Sequence, residues 1–221
     1  MLDIIETIDR FFERVKGSYI VFIGTSIAMI FLTIAILTYL PSNPSFSIFS
    51  NFVSHIGLGP IISRINLLIG GTIMAVTFAV YLLFFSRFLQ KKGGNPALSW
   101  TAYFFSIVFG LSLISACIIP FDPSDALAYE IHILLAISLF LSLTLLGIFY
   151  GYSELLTTNI PRIMPLISFI AAIPAGLFTI FFTIQSYTNI PYQPFTYFIE
   201  WTSVFSLVIW AMVHGFLTLR N

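Results

Sequence analysis

Residues 19–40 read YIVFIGTSIAMIFLTIAILTYL, a stretch without a single charged side chain. The hydrocarbon core of a bilayer needs about 20 apolar residues per helix, so this stretch predicts a helix that crosses a membrane. Five more stretches of similar length and composition follow along the chain. The six predicted spans are residues 19–40, 65–85, 98–119, 129–150, 165–185 and 197–219.

The composition agrees with a membrane protein. Hydrophobic residues make up 58% of the chain and charged residues 8%, whereas soluble domains carry about 25% charged residues. The formal net charge is zero, so the chain lacks the basic surface that nucleic-acid binding requires and we expect no nucleic-acid partner. Cys117 is the only cysteine, which excludes an intrachain disulfide and a cysteine-based metal cluster. We predict no cofactor and no metal site.

An amphipathic segment precedes the first span. Ile4, Ile5, Ile8, Phe11, Phe12 and Val15 recur at helical spacing, which predicts a helix with one apolar face. That face either lies on the membrane surface or packs against the end of the bundle, and the sequence favours neither. We therefore predict an all-α protein with a short cytoplasmic amphipathic helix at residues 1–17 and a compact six-helix transmembrane domain at residues 18–221.

Basic residues set the expected orientation, because cytoplasmic connections are rich in lysine and arginine. All but one of those at the span ends fall on the side of the two chain termini, and Arg64 stands alone on the other. We predict a multi-pass protein of the cell membrane with both termini cytoplasmic. The residues on the terminal side are Arg10, Arg14, Lys16, Arg87, Lys91, Lys92, Arg162 and Arg220.

Two segments carry a resemblance to a known family. Residues 50–60 read SNFVSHIGLGP and are followed by Asn66 and the pair Gly70-Gly71, while Pro120-Phe-Asp122 precedes His132 by ten residues. This pattern resembles the prokaryotic six-helix family catalogued as domain of unknown function 998, which is itself distantly similar to the Frag/DRAM/Sfk membrane proteins. In that family an acidic residue usually stands where this chain has His55. The resemblance implies the six-helix fold and no particular reaction.

Polar side chains gather at the predicted outer end of the spans. An ionisable group in a membrane helix is costly and usually faces a partner or a wet cavity, so we predict a ligand site there, with Tyr197 and Trp201 as an aromatic wall. Alternatively, His132 bonds Asp122 or a loop carbonyl and only holds the helices together. The candidate ligand-binding residues are Ser54, His55, Asp122, His132, Glu200 and Trp201.

The predicted function is a non-enzymatic membrane protein that binds a lipid headgroup or a small solute at this cluster, with membrane lipids and a second copy or another membrane subunit as possible partners. A transporter and a lipid hydrolase are the alternatives. The serine, histidine and aspartate residues of the chain are similar in kind to those of membrane ceramidase-like and adiponectin-receptor-like zinc enzymes. However, His132 and His214 should differ in depth by roughly 15 Å at 1.5 Å per residue, which is too far for both to bind one zinc ion. We expect His214 to be hydrogen-bonded between helices.

Overall fold

The computed structural model describes residues 2–188 and 190–220, with side chains from residue 5 onward, so the predicted apolar position Ile4 lies outside the described side chains. The described chain is all-helical, and six of its helices are long and apolar enough to cross a membrane, as the sequence predicts. The helices are α1 (Leu2–Arg14), α2 (Gly17–Tyr39), α3 (Ile61–Lys91), α4 (Pro96–Ile118), α5 (Ala126–Leu155), α6 (Ile163–Thr188) and α7 (Pro194–Arg220).

Local sequence signals determine where the membrane helices begin and end. The side chain of Asn95 accepts a hydrogen bond from Ala97 N–H at 2.9 Å, and Asp125 caps α5 in the same way. Such caps satisfy backbone donors that have no partner in the first helical turn. After α3, Gly93 adopts a φ of 90°, which glycine tolerates without the clash of a Cβ. Gly93 and the Asn95 cap together produce the tight turn from α3 into α4.

The six long helices form a closed ring. Each packs against its neighbours in the chain, and α2 also contacts α7. Glycine lets neighbouring helices approach closely at two places. A Cβ at Gly147 would lie 2.9 Å from Ala172 Cβ, and one at Gly70 would lie 3.1 Å from the Ala28 carbonyl oxygen. Small residues at such crossings let helix backbones meet in a membrane, where van der Waals packing drives association.

The ring has two different ends. At one end, here called the terminal end, Ser18 near the start of α2 lies 3.0 Å from Thr218 near the end of α7, measured between hydroxyl oxygens. The opposite end, here called the capped end, carries the connection between α2 and α3. This connection, residues 40–60, is called the cap and contains two short 3₁₀ helices, Leu40–Ser42 and Val53–Leu58.

Helix α1 packs on the terminal end. The Asp9 carboxylate accepts two hydrogen bonds from Arg87 of α3, at 3.0 and 2.9 Å, and the ring of Phe12 meets that of Phe84 edge-on at 5.3 Å. Phe11 nevertheless remains 47% exposed. Of the two alternatives for the amphipathic segment, the structure shows docking of one face against the bundle while a second apolar strip stays uncovered.

Candidate functional site

The cap is inserted into the end of the ring through one aromatic side chain. Phe52 is 1% exposed, and its ring centroid lies 4.4 Å from that of Tyr197, 5.1 Å from that of Tyr192 and 5.5 Å from that of Phe182. These neighbours come from α6, α7 and the connection between them. Since a buried aromatic ring contributes a large apolar area, Phe52 holds the cap inside the ring.

Two consecutive residues of α7 fasten the cap by hydrogen bonds. The backbone N–H of Val53 donates to Glu200 Oε2 at 2.7 Å, and the indole N–H of Trp201 donates to the Asn51 carbonyl oxygen at 2.9 Å. Both hydrogen bonds satisfy backbone groups of the cap that have no partner within a helix. The position of the cap therefore depends on the last membrane helix.

A cavity of about 130 Å³ lies directly beneath the cap, between α2, α3, α4, α5 and α7. An engineered apolar cavity of about 150 Å³ is large enough to bind benzene, so this space is of the right size for a small apolar group. Most of the lining is aliphatic or aromatic, including Met29, Met74, Phe109 and Ala136. The polar side chains in the lining are Ser54 of the cap, His132 of α5 and Glu200 of α7.

These three polar side chains retain unused hydrogen-bonding capacity. His132 donates its Nδ1–H to the Ile119 carbonyl oxygen at 2.6 Å, which leaves Nε2 without a described partner. The bond from Val53 uses one Glu200 oxygen, and no described bond reaches the Ser54 hydroxyl. His132 and Glu200 are buried and Ser54 is half-buried, and polar groups away from bulk water are almost always paired. An amphipathic cavity with unpaired polar groups at one end is typical of a ligand site.

The other predicted site residues lie outside the cavity lining. His55 accepts the Phe52 N–H at Nδ1, at 3.2 Å, and burial, with a smaller contribution from the charge of His132, lowers the pKa of His55 to about 4. Trp201 fastens the cap, as described above. Both residues therefore position the segment that carries Ser54.

Asp122 takes part in a local turn. Its carboxylate accepts the Ser124 hydroxyl at 2.7 Å and the Ser124 N–H at 2.9 Å, and these two bonds lower the pKa of Asp122. The predicted hydrogen bond between Asp122 and His132 is not among the described contacts. His132 instead follows the other alternative, the bond to a loop carbonyl, because Ile119 at the end of α4 lies nearer to its ring.

A second polar cluster lies at the terminal end, and the sequence analysis missed most of it. His214 Nε2 lies 3.0 Å from Glu154 Oε1, Ser168 donates its hydroxyl to Glu154 Oε2 at 2.8 Å, and Trp210 donates its indole N–H to Ser168 Oγ at 2.8 Å. The prediction that His214 is hydrogen-bonded between helices is confirmed. Glu154 was missed because the hydropathy pattern ends the fourth span at residue 150, whereas α5 continues to Leu155.

The geometry of this second cluster is that of a structural network. Ser168 and Glu154 approach the same ring nitrogen of His214, Nε2, while Nδ1 faces the Trp210 carbonyl oxygen. In a serine nucleophile arrangement the acid and the serine lie at opposite ring nitrogens. The side chains of Glu154 and His214 are 0% exposed. The cluster ties α5, α6 and α7 together.

Within residues 2–188 and 190–220, no three His, Cys, Asp or Glu side chains are grouped closely enough to hold a metal ion. His132 and His214 belong to different clusters at opposite ends of the ring.

A family model described as "Protein of unknown function (DUF998)" matches residues 20–217. The match extends from the first turn of α2 almost to the end of α7, and so includes the cap and every residue of both polar clusters. The chain belongs to this family, and the resemblance noted in its sequence is confirmed. No match was found among the curated proteins, and none among the solved structures.

Proposed function

We propose that this member of the DUF998 family is a membrane-embedded binding protein for a small amphiphile, held in the cavity beneath the cap. The polar head of the ligand contacts Ser54, His132 and Glu200, and its apolar part extends between α3, α4 and α5. The observation that carries the proposal is the cavity itself, which combines apolar walls with three polar side chains at one end.

In this proposal the capped end faces away from the cytoplasm. The support is the distribution of basic residues, because Arg87, Lys91 and Arg162 lie at the terminal end while Arg64 is the basic residue near the cap. Basic residues favour the cytoplasmic side. A ligand then reaches the site from outside the cell or from the outer leaflet.

A binding role has more support than hydrolysis. A serine nucleophile needs a base within hydrogen-bond reach, and the base needs a group that orients it. In the described part of the chain, His132 is oriented by the Ile119 carbonyl, and no hydrogen bond connects its ring to Ser54 or to Glu200. The three side chains instead converge on a space that a ligand can fill.

The experiment that tests this function measures binding of hexan-1-ol to the purified protein in lipid nanodiscs, by the shift in unfolding temperature and by saturation-transfer NMR. We expect saturable binding that Ala136→Phe abolishes, because Ala136 lines the cavity and a phenyl ring would fill it. The matched control is Leu134→Phe on the same helix, where the side chain is 58% exposed and faces away. Binding that both variants retain would overturn the proposal, and so would an unmodified protein that binds neither hexan-1-ol nor a charged amphiphile of the same length.

A further inference from the structure

We infer that the ligand carries a hydrogen-bond-donating cation as its head group, and that the site selects primary alkylamines over neutral and anionic amphiphiles of the same length. This inference rests on the proposed function and specifies the chemical class of its ligand.

The first argument is the direction of the hydrogen bonds in the cavity. In its ionised form, which a bound cation favours, a carboxylate accepts hydrogen bonds and does not donate them, and the Val53 N–H occupies one Glu200 oxygen. A neutral imidazole has one N–H, and His132 uses it toward Ile119, so Nε2 is also an acceptor. The Ser54 hydroxyl can accept as well. An ammonium group offers three donors, which matches three acceptors that approach from different helices.

The second argument is charge. Glu200 is 7% exposed, and none of the ion pairs found among the described residues includes it. Arg64, the basic residue nearest the cap in the sequence, has an exposed side chain. A buried carboxyl group without a counter-charge is costly to ionise in a low-dielectric environment and tends to hold a proton instead. A cationic head group would supply the counter-charge that lets Glu200 release this proton and accept a hydrogen bond from the ligand, whereas a carboxylate or phosphate head would oppose ionisation of Glu200.

The third argument is the shape of the remaining space. Below the polar end the lining is aliphatic and aromatic and includes Leu139, Phe140 and Leu143 of α5 and Ala28 and Met29 of α2. The volume of about 130 Å³ suits an apolar group of about six carbon atoms, close to the size of benzene. An unbranched chain is compatible with this lining, and a second acyl chain is not.

The test compares hexylamine, hexan-1-ol and hexanoate on the unmodified protein in nanodiscs at about pH 7, where an alkylamine is protonated as a lysine side chain is. We expect hexylamine to bind at least about tenfold more tightly than hexan-1-ol, since hydrogen bonds to charged groups are stronger by this order. Hexanoate should bind most weakly of the three. Hexyltrimethylammonium, which keeps the charge but has no donor, should lose most of the advantage of the amine.

A variant pair assigns the selectivity to one side chain. Glu200→Gln keeps the acceptor for Val53 and removes the charge, so it should bring hexylamine to within about threefold of hexan-1-ol. The control is Glu130→Gln. Glu130 lies near the capped end of α5 with an exposed side chain, and its substitution should leave the preference for hexylamine unchanged. The ligand series on the unmodified protein decides the matter if Glu200→Gln does not fold.

Two outcomes overturn the inference, and a third overturns the role of Glu200 in it. Equal or tighter binding of hexan-1-ol or hexanoate would refute amine selectivity while leaving the proposed function intact. An amine preference that survives Glu200→Gln would show that another group supplies the charge. Binding of all three probes that is indifferent to Ala136→Phe would refute both the inference and the proposed function.

Discussion

Glu154 and His214 share a single proton inside the terminal half of the bundle. His214 Nδ1 must carry a hydrogen, because it faces the Trp210 carbonyl oxygen at 2.9 Å and a carbonyl can only accept. Nε2 and Glu154 Oε1 lie 3.0 Å apart, which requires one hydrogen between them. Whichever atom holds this hydrogen, the pair is neutral as a whole. Each partner therefore makes the burial of the other possible.

Replacing one partner should leave the other buried without compensation. We expect His214→Ala to lower the free energy of unfolding by about 3–5 kcal/mol, the usual cost of removing one member of a buried pair. The measurement is equilibrium unfolding in mixed micelles. Tyr152→Phe on α5, where the side chain is 51% exposed, should change stability by less than about 0.5 kcal/mol. A loss below about 1 kcal/mol in His214→Ala would mean that the pair contributes little.

Acidification should loosen the cap. Burial lowers the pKa of His55 from its ordinary value of 6.5 to about 4, so the released cap binds a proton more readily than the inserted one. The contribution of neutral His55 to the stability of the inserted cap is complete above about pH 6.5 and is lost as the pH falls through about 4. Its expected size is about 1–3 kcal/mol. Protonation of Nδ1 would also break its bond from the Phe52 N–H.

Hydrogen exchange at the Phe52 and Val53 amides, corrected for the intrinsic pH dependence of exchange, measures this effect. His55→Asn places an amide oxygen near the position of Nδ1 and does not titrate, so its corrected exchange should be independent of pH over this range. If the variant and the unmodified protein respond to acid alike, His55 is not the responsible group.

Docking of α1 should depend on the Asp9 carboxylate. The hydrogen bonds from Arg87, followed by the charges of Arg87 and Lys91, lower the pKa of Asp9 below its ordinary value of 3.8. The docking contribution is therefore fully present above about pH 4 and is lost only as the pH falls through the lowered value. At neutral pH, Asp9→Asn should increase hydrogen exchange throughout α1.

The matched control for α1 is Glu6→Gln. Glu6 forms an exposed pair with Arg10 within the same helix, at 3.5 Å, and exposed pairs contribute little. Exchange in α1 should stay close to that of the unmodified protein. An equal effect of the two substitutions would indicate a general loss of charge on α1 in place of a specific contact with Arg87.

The proposed orientation predicts a labelling pattern. Single cysteines that replace Ser45 or Gln193 at the capped end should react with a membrane-impermeant maleimide added to intact cells. A cysteine that replaces Thr158 at the terminal end should react only after the membrane is opened. All three positions are exposed, and the unmodified protein with Cys117 is the background control. The opposite pattern would reverse the orientation.

The number and place of the membrane helices could be predicted from the sequence because hydropathy reports the part of each helix inside the hydrocarbon. It does not report where the helix ends. The fourth predicted span stops at residue 150, but α5 continues to Leu155, and the extra turn carries Glu154 into the bundle beside His214. The two residues are 60 positions apart, and no periodic pattern in the sequence joins them.

The candidate site could be predicted in part for a similar reason. Ser54, His132 and Glu200 were identified because polar residues stand out near apolar spans, and these three line the cavity. Asp122 has the same chemistry but sits in a turn where Ser124 is two residues away, so local hydrogen bonds capture it. The choice between a local and a distant partner depends on loop geometry that composition does not contain. Their role in ligand binding remains a prediction.

The bond between Val53 and Glu200 also imposes an order on biosynthesis. The two residues are 147 positions apart, so at about 5–20 residues per second the ribosome completes the cap roughly 7–30 s before it makes the side chain that anchors it. By the end of that interval the nascent chain has five membrane helices, an open ring and a cap amide that still lacks its acceptor. A message truncated before α7 would yield a protein that inserts in the bilayer but never encloses the cavity, and membrane proteases would meet it in that unfinished form.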